Sequence, residues 1–476
     1  MNENRDWGAY VQHTHNNYVL RYLTYTKEHP QVSKLDFDAL EVEHPTILTA
    51  MTRAYQEEQW KFVLDFMSGL KEYLYLQGHW GEAAQRVGNA LKAAEHLQNK
   101  KAWAHWKFYI GLIQDGRGEY EDAASCYQQS IDTAQDEGEL VIQAEAWRRL
   151  GWLAHARGER DAAKKQYQRA LKLHCQIGDR PGQARDRRQL GILAMDRADF
   201  DEAERCLQTS LSLVEGGDDW ETRRLQAGAW LDLGRVALQQ GRLNEACRRL
   251  ERAQGYAGAE EDRLLLADIH FHLAILAEEQ GDLQEAEDEY QARLKLAKEV
   301  GDRWGESSAL ISLGTLALQQ GNYDEAQVRY ERVLEAGERH NQAVATVQLG
   351  TLAYLQGEYG QALDHLHEAL NMFQALNRRQ EVASCRQQLG LVAQAMRRWR
   401  EAEEHYQISL DIRLELELPH DAVQSLYQLG TLAQQRGQRE KARDYYQQAL
   451  DKGEQVGFSR LPMIRQALEN LNHRER

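Results

Sequence analysis

Histidine pairs are the residues whose type and spacing come closest to a metal site in this sequence. His-x-His occurs three times, at His13/His15, His270/His272 and His365/His367. On a strand the two imidazoles of such a pair could share a metal ion, but on a helix residues two apart do not face one another. The last two pairs lie in stretches with helical spacing of apolar residues, so we expect packing or surface histidines there. If the first pair lies in a loop, its two imidazoles could still bind a metal ion together. The sequence as a whole predicts no metal site.

Other residues that could do chemistry form no recognisable active site. Paired acids such as Glu278/Glu279 are frequent, but a chain with 74 acidic residues carries many of them on solvated helix faces. Cys126, Cys206 and Cys247 are expected to be small apolar residues of the core. No GxSxG, HExxH, GxGxxG, GxxxxGK[ST] or EF-hand pattern occurs. We therefore expect neither catalysis nor a cofactor.

Composition limits the partners and the compartment. The 476 residues include 58 basic and 74 acidic side chains, which gives a formal net charge of −16. Such a surface repels phosphate backbones, so we expect no nucleic-acid binding. No run of apolar residues is long enough to span a membrane, and the first residues lack a secretory pattern. Five scattered cysteines without a CxxC pair fit a reducing compartment, which predicts a soluble cytoplasmic protein.

A repeat of about 40 residues organises the chain. One pattern recurs: Leu-Gly, a small residue three positions later, a turn residue four positions after that, and then Ala and an aromatic or Leu; the first copy is the weakest, with Lys71 in place of the glycine. The successive steps between turn residues are 40, 40, 40, 43, 40, 40, 36, 40 and 40 residues. Ten turn positions align: Gly78, Gly118, Gly158, Ala198, Gly241, Gly281, Gly321, Gly357, Arg397 and Gly437.

Each repeat has the pattern of two helices joined at the turn residue. Apolar residues recur at three- and four-residue spacing on both sides of the turn. The glycine of Leu-Gly lets the second helix approach the first closely, which explains a residue that otherwise weakens a helix. Gly-Asp between repeats, at Gly178-Asp179 and Gly301-Asp302 with Gly217-Asp218 as a variant, is expected to end one hairpin and cap the next. One hairpin cannot bury its apolar face alone, so the hairpins must stack.

The repeat resembles the tetratricopeptide repeat, whose usual copy has about 34 residues and a W-x2-L-G-x2-Y…A-x3-F signature. The third copy, with Trp147, Leu150, Gly151, Ala163 and Tyr167, follows that signature most closely. The resemblance implies an all-α fold, a right-handed α-solenoid of about ten hairpins over residues 58–457. A helical entry segment at residues 1–57 and a capping helix at residues 458–476 would complete it. In the entry segment we expect one helix around residues 18–28 and another from Pro45.

Residues 40–50 resemble the entry to the repeat domains of bacterial STAND proteins, which are signal-transduction ATPases with numerous domains. In that family the tetratricopeptide array is the sensor and receives an inducer or a partner protein. The chain has no GxxxxGK[ST] phosphate loop, so the switch ATPase itself is not recognisable here. The resemblance leaves three possibilities open: a detached sensor, a stand-alone relative, or the repeat part of a longer protein.

The resemblance also indicates which side chains would meet a partner. In tetratricopeptide proteins the first helices line a groove, and the residues three before and one and four after the Leu-Gly glycine face it, with one more near the helix start. Carried over to this chain, those positions give the expected groove residues: Phe108, Arg148, Trp152, His155, Arg185, Arg188, Arg235, Phe271, Tyr354 and Tyr427.

Four of these residues are arginines in repeats three to five, in a chain that is acidic overall. Guanidinium groups bind carboxylates bidentately, and flat aromatic rings anchor apolar side chains. One hypothesis is a basic and aromatic pocket that takes an acidic peptide segment or a C-terminal carboxylate. The alternative is that the arginines pair inside the array with Glu145, Asp186 or Asp232.

The sequence therefore predicts a non-catalytic module that binds a protein or peptide, as the ligand- or partner-sensing part of a bacterial signalling or defence-type, STAND-like system. Two alternatives stay open, a cytosolic receptor for a short signalling peptide and a general assembly scaffold or adaptor. The oligomeric state is left open by the sequence.

Overall fold

The computed structural model describes residues 34–76, 80–259, 262–456, 458 and 460–473. The chain divides into two compact units, Met1–Ala229 and Trp230–Arg476. Every regular element among the described residues is an α-helix, which confirms the predicted all-α class. None of the described helices is both long and apolar enough to cross a membrane.

The first unit contains nine complete helices, and a tenth runs across the division. They are α1 (Lys34–Gln56), α2 (Trp60–Leu76), α3 (Trp80–His96), α4 (Lys100–Gly116), α5 (Tyr120–Asp136), α6 (Leu140–Ala156), α7 (Arg160–Ile177), α8 (Arg180–Met195), α9 (Phe200–Leu213) and α10 (Trp220–Gln239). These counts refer to the part of the chain that the structure describes. From α1 to α9 each helix packs against the next along the chain, and the first helices α4 and α6 also contact each other.

The second unit continues the same series. Its helices are α11 (Leu243–Ala259), α12 (Arg263–Gln280), α13 (Leu283–Val300), α14 (Arg303–Gln319), α15 (Tyr323–Ala336), α16 (Arg339–Leu355), α17 (Tyr359–Ala375), α18 (Arg379–Ala395), α19 (Trp399–Glu415), α20 (Pro419–Gln435), α21 (Arg439–Val456) and α22 (Leu461–His473). Helices α2 to α21 form hairpins one to ten, each with a first and a second helix. This succession of packed helix pairs confirms the predicted solenoid class.

The turn residues have the backbone conformation that separates two helices. In the nine hairpins whose turn is described, the aligned residue has a positive φ, between 58° at Ala198 and Arg397 and 83° at Gly281. Glycine adopts this left-handed conformation without strain, whereas Ala198 and Arg397 adopt it at a cost. The turn at Gly78 lies outside the described residues.

The glycine of the Leu-Gly pattern lies on the first helix at the point where the second helix of the hairpin comes closest to it. A Cβ built on Gly151 would lie 2.6 Å from the ring of Tyr167, and one on Gly191 would lie 2.8 Å from Leu207. A Cβ does not come that close to non-bonded carbon atoms, so at these two places glycine permits the observed spacing of the helices. The predicted close approach of the two helices is confirmed at these hairpins.

Capping residues join successive hairpins. Gly178 ends α7 with a φ of 72°, and the Asp179 carboxylate accepts a hydrogen bond from the Gly182 N–H at 2.9 Å. The expected variant at Gly217-Asp218 is wrong. Asp219 caps α10 instead, accepting from the Thr222 N–H at 3.0 Å, because it directly precedes the helix whereas Asp218 lies one residue further away.

The two ends of the repeat region also carry helices. Helix α1 begins at Lys34 and runs through Pro45, so the expected helix start at Pro45 is wrong. Burial of Ile47, Ala50 and Ala54 stabilises α1 despite the hydrogen bond that proline removes. At the other end, α22 packs against α21. The expected helix at residues 18–28 lies outside the described residues, and the limits of the repeat region at residues 58 and 457 stay predictions.

Candidate functional site: the first-helix surface of hairpins two to four

An exposed aromatic pair lies where hairpins two and three meet. Trp152 follows Gly151 on α6, so it points away from the contact between Gly151 and Tyr167. Its side chain is 39% exposed, and Tyr120, the first residue of α5, is 41% exposed. The two rings meet edge to face with centroids 6.1 Å apart. We call Tyr120 and Trp152 the aromatic pair.

Tryptophan occurs at this place in hairpin three alone. In the other hairpins with the Leu-Gly pattern or its equivalent, the residue after the glycine position is aliphatic, Thr or Arg: Leu112, Ile192, Arg235, Ile275, Thr315, Thr351, Leu391 and Thr431. The hairpin fold therefore does not require an indole here. A large exposed aromatic group that packing does not require is typical of a contact with another molecule.

Beside Trp152, the predicted arginines are engaged within the protein. Arg148 forms an ion pair with Glu145, and its side chain is only 14% exposed. Arg185 pairs with Glu221 and lies 3.7 Å from a Glu145 oxygen. Burial alone would raise the pKa of Glu145, but Arg148, His174 and Arg185 outweigh that effect and lower the pKa to about 2.

A buried histidine and aspartate complete this group. His174 Nδ1 and an Asp186 carboxylate oxygen are 2.6 Å apart, and both side chains are fully buried. Burial opposes protonation of the imidazole, but hydrogen bonds with Asp186 and Glu145 raise the pKa of His174 to about 9. The imidazole is therefore a cation at neutral pH. We call Glu145, Arg148, His174, Arg185 and Asp186 the charged cluster.

Charges within the charged cluster compensate one another. Three cations, Arg148, His174 and Arg185, share their surroundings with the carboxylates of Glu145 and Asp186, and Glu221 pairs with Arg185 at the edge. The internal pairing that the sequence left open as an alternative is thus observed for Arg148 and Arg185. An acidic ligand at this place would have to displace carboxylates that the protein itself supplies.

The other expected arginines are also in contact with the protein. The guanidinium of Arg188 packs over the backbone of α10, since a Cβ added to Gly228 would lie 2.7 Å from its Cζ. In the second unit Arg235 donates to the fully buried Asp232 carboxylate at 2.9 Å. These contacts fix both side chains on the first helices.

The remaining expected residues differ in exposure. Phe108 is buried against Tyr127, with centroids 5.6 Å apart, so it belongs to the core and is removed from the expected groove set. His155 is half-buried and lies 2.6 Å from an Asp196 oxygen. In the second unit three expected residues are half-buried and each lies against another ring or a guanidinium: Phe271, Tyr354 and Tyr427.

A depression of about 790 Å³ crosses the starts of the first helices in hairpins one to three. Lys61 and Asp65 of α2, Lys101 and His105 of α4, and Ile142 of α6 line it. Lys101 forms an ion pair at 2.6 Å with Glu139, the residue before α6. The depression combines apolar walls with charges of both signs, which suits an extended peptide more than a single small anion.

Metal ligation finds no support in the described side chains, where no three His, Cys, Asp or Glu residues come together as a metal would need. His270 lies 2.5 Å from Glu289, and burial lowers the pKa of His272 to about 3. His13/His15 lie outside the described residues. Of the cysteines expected in the core, Cys126 and Cys206 are buried and Cys247 is half-exposed.

Solved structures show where this fold recurs. A STAND protein with a tetratricopeptide repeat sensor from Pyrococcus horikoshii is 15% identical, with a TM-score of 0.45 over 68% of this chain and 52% of that chain. The apo form of RapI is 13% identical, with a TM-score of 0.50 over 72% of this chain and 97% of that chain. A Rap protein complexed with competence and sporulation factor is 15% identical, with a TM-score of 0.45 over 71% and 98% of the two chains. At these identities the similarity concerns the fold alone, and this chain spans about half of the STAND structure.

Sequence families identify the repeat itself. No curated relative matches the sequence. One tetratricopeptide repeat family model matches residues 225–299, 265–339, 305–375, 341–415 and 381–455, and a second matches residues 110–179 and 188–260. These matches follow hairpins two to ten, whose turns and close-packed glycines are described above. The chain belongs to the tetratricopeptide repeat family.

Proposed function

We propose that this chain is a non-catalytic module that binds a protein or peptide through the first-helix surface of hairpins two to four. Tetratricopeptide repeats are protein-interaction modules, and their stacked helices form extended binding surfaces. The observation that carries the proposal is the aromatic pair, in which Trp152 stays exposed at a place where no other hairpin has an aromatic residue and meets the exposed ring of Tyr120. Aromatic side chains of this kind contribute most of the binding free energy in many interfaces.

The structure gives less support to an acidic ligand at Arg148 and Arg185 than the sequence did. Their positive charges are compensated by Glu145 and Glu221, so an acidic segment gains little there. An apolar or aromatic side chain of the partner can instead pack on Trp152 without displacing any ion pair. We therefore propose that the partner is anchored on hairpins two to four by an apolar side chain, with the depression on α4 and α6, which extends onto α2 of hairpin one, receiving more of its chain.

For the biological setting we propose partner sensing in a signalling or defence-type system. The resemblance of residues 40–50 to the entry of STAND repeat domains supports this setting. A receptor for a short signalling peptide is the second candidate, and a scaffold or adaptor is the third. They differ in what the surface must recognise, since a receptor binds a peptide alone and a scaffold holds folded proteins.

Partner capture tests the proposal. The tagged full chain and its Tyr120→Ala/Trp152→Ala variant are each incubated with a lysate of the source organism and with the low-mass fraction of that lysate. Retained molecules are identified by mass spectrometry. Tyr323→Ala is the matched control, because Tyr323 also begins a second helix and is 36% exposed, while the place equivalent to Trp152 in the following hairpin is occupied by Thr351.

We expect a partner that wild type and Tyr323→Ala retain and the double variant loses. Retention from the low-mass fraction alone would favour the peptide receptor, and retention of folded proteins alone would favour a sensor or scaffold. If all three proteins retain the same molecules equally, the contact lies on another surface and the proposal fails.

A further inference from the structure

Arg293 is a buried cation on α13 in the second unit. Its side chain is 2% exposed. Every other hairpin has a small residue or valine at the same place on its second helix: Ala90, Ser130, Ala170, Ser210, Ala253, Val333, Ala369, Ser409 and Ala449. The stacking of the hairpins therefore needs no cation at this place.

Arg293 has aromatic neighbours, and two of its three guanidinium nitrogens have no hydrogen-bond partner among the described residues. Its Cζ lies 4.2 Å from the centroid of Phe271 and 6.0 Å from that of Trp304. The buried Nε and Nη1 atoms donate no hydrogen bond. Burial lowers the pKa of Arg293, while the carboxylates of Asp268 and Asp302 act in the opposite direction from a distance. Asp302 is already engaged, because it accepts from the Gly305 N–H at 3.0 Å.

This arrangement is unfavourable unless something else contacts the guanidinium. A buried charge without a hydrogen-bond partner destabilises the folded state, and two aromatic faces recover only part of that loss. Each of the two forks of the guanidinium contains one of the unpartnered nitrogens, so either can still receive a planar anion. A residue that costs stability at a place where alanine serves elsewhere is a candidate for ligand binding.

Exposed apolar side chains lie on the helices that hold this cation and its aromatic neighbours. Trp304 is 47% exposed, and Val300, four residues before it, is 39% exposed. Leu264 occupies the same place in hairpin six as Trp304 in hairpin seven and is 51% exposed. An ion pair of 3.7 Å between Arg263 and Glu299 brings the start of α12 next to the end of α13, and hence Leu264 next to Val300.

We propose that Arg293 anchors a binding site for a carboxylate carried on an apolar group. Phe271 and Trp304 hold the plane of the guanidinium, and rotation of the exposed Trp304 indole opens the way to it. Leu264 and Val300 contact the apolar part of the ligand. A single cation between two carboxylates, Asp268 and Asp302, suits a singly charged carboxylate better than a doubly charged phosphate. This site lies in the second unit and goes beyond the proposed role of the aromatic pair, so either can fail without the other.

Two pairs of probes test the site on the full chain. Phenylacetate and phenylacetamide differ only in the charged group, as do the tripeptide acetyl-Ala-Ala-Phe and its C-terminal amide. Binding is measured by equilibrium dialysis and by the rise in unfolding temperature at constant ionic strength, with inorganic phosphate as a further probe. The proteins are wild type, Arg293→Ala and the control Arg252→Ala, which removes an exposed arginine whose Cζ lies 4.7 Å from the Trp230 ring.

At least one acid should bind wild type and Arg252→Ala, whereas its amide should not. Arg293→Ala should bind that acid about tenfold more weakly or less, the loss expected when a charge-assisted hydrogen bond is removed. Without ligand, Arg293→Ala should unfold at the same temperature as wild type or higher, because alanine fills this place in other hairpins. Binding of the tripeptide alone identifies a peptide C-terminus as the ligand, and binding of phenylacetate alone identifies a small acid.

Three results would overturn the site. Acids and amides could act alike on wild type, the acids could bind Arg293→Ala as well as wild type, or phosphate could bind more tightly than both acids. A lower unfolding temperature of Arg293→Ala, together with unchanged acid binding, would assign Arg293 a purely structural role.

Discussion

In the first unit, two buried places carry polar residues where the preceding hairpin has alanine. His174 lies where α5 has Ala134, and Asp186 lies where α6 has Ala146. Both alanines are buried, as are His174 and Asp186. The buried pair is compatible with the fold because each charge has its partner at 2.6 Å. Removing one member would leave the other buried without its partner.

A double-mutant cycle follows from this. His174→Ala or Asp186→Ala alone should lower the local free energy of unfolding by about 3 kcal/mol or more, because one buried charge loses its partner. The double variant should be more stable than either single variant, since it restores the alanine pair and leaves Glu145 with Arg148 and Arg185. Hydrogen exchange of the amides in α7 and α8 measures these differences. Additive losses would contradict the coupling.

Stability should also depend on pH through His174. Its pKa in the folded state is raised to about 9, from about 6.5 for an ordinary histidine side chain. Protonation therefore stabilises the folded state fully below about pH 6.5, by up to about 3 kcal/mol, and this contribution is lost as the pH rises through 9. Thermal unfolding of wild type, compared with His174→Ala/Asp186→Ala, should show a wild-type advantage that shrinks from pH 6.5 to 9.5. A constant difference across that range would be evidence that His174 is neutral in the folded protein.

The charged cluster was only partly predictable from the sequence. Pairing of Arg148 with Glu145 follows from their spacing of three on one helix, and the sequence left it open as an alternative. His174 was missed because it belongs to a second helix and meets Asp186 across the junction between two hairpins. Aligning the copies at the turn residue could have revealed both, since each replaces an alanine at a buried place.

At the scale of helices, the turn residue of a hairpin has the same left-handed backbone conformation whether it is Gly, Ala or Arg. Ala198 and Arg397 have a φ of 58°, which glycine adopts more readily. Ala198→Gly and Arg397→Gly should each stabilise their hairpin by about 0.5–1 kcal/mol, after allowance for the greater freedom of glycine in the unfolded chain.

The reverse change is the control. Gly437→Ala, at a turn with a φ of 73°, should destabilise hairpin ten by about 1 kcal/mol. Chemical denaturation followed by circular dichroism measures all three variants. Destabilisation by both glycine substitutions would show that side-chain contacts, and not backbone conformation, determine the residue at the turn.

The helices were predictable because the signals that define them repeat. Leu-Gly, the turn residue and the junction Asp recur at nearly constant spacing, and each has a local physical role in a hairpin. The predictions were wrong where the repeat changes its spacing and where the chain precedes the first repeat. In the 43-residue step the cap moved from Asp218 to Asp219, and Pro45 did not begin a helix because burial of its neighbours outweighed the lost hydrogen bond.

At the scale of the whole molecule, a repeat protein offers many similar places, and only departures from the repeat distinguish one surface from another. Three departures stand out in the described residues: the aromatic pair, the charged cluster and Arg293. Trp152 of the aromatic pair, His174 and Asp186 of the charged cluster, and Arg293 each lie at a place where no other hairpin has the same residue. A fold shared with so many proteins does not identify the partner, so these departures carry the functional argument.

Affinity for the captured partner tests the central claim most directly. Isothermal titration of that partner would compare wild type, Trp152→Ala and Tyr323→Ala. We expect Trp152→Ala to bind about 30-fold more weakly, the effect of losing an interface residue worth about 2 kcal/mol, and Tyr323→Ala to bind like wild type. Equal affinities of all three proteins would contradict the claim that the partner binds at the first-helix surface of hairpins two to four.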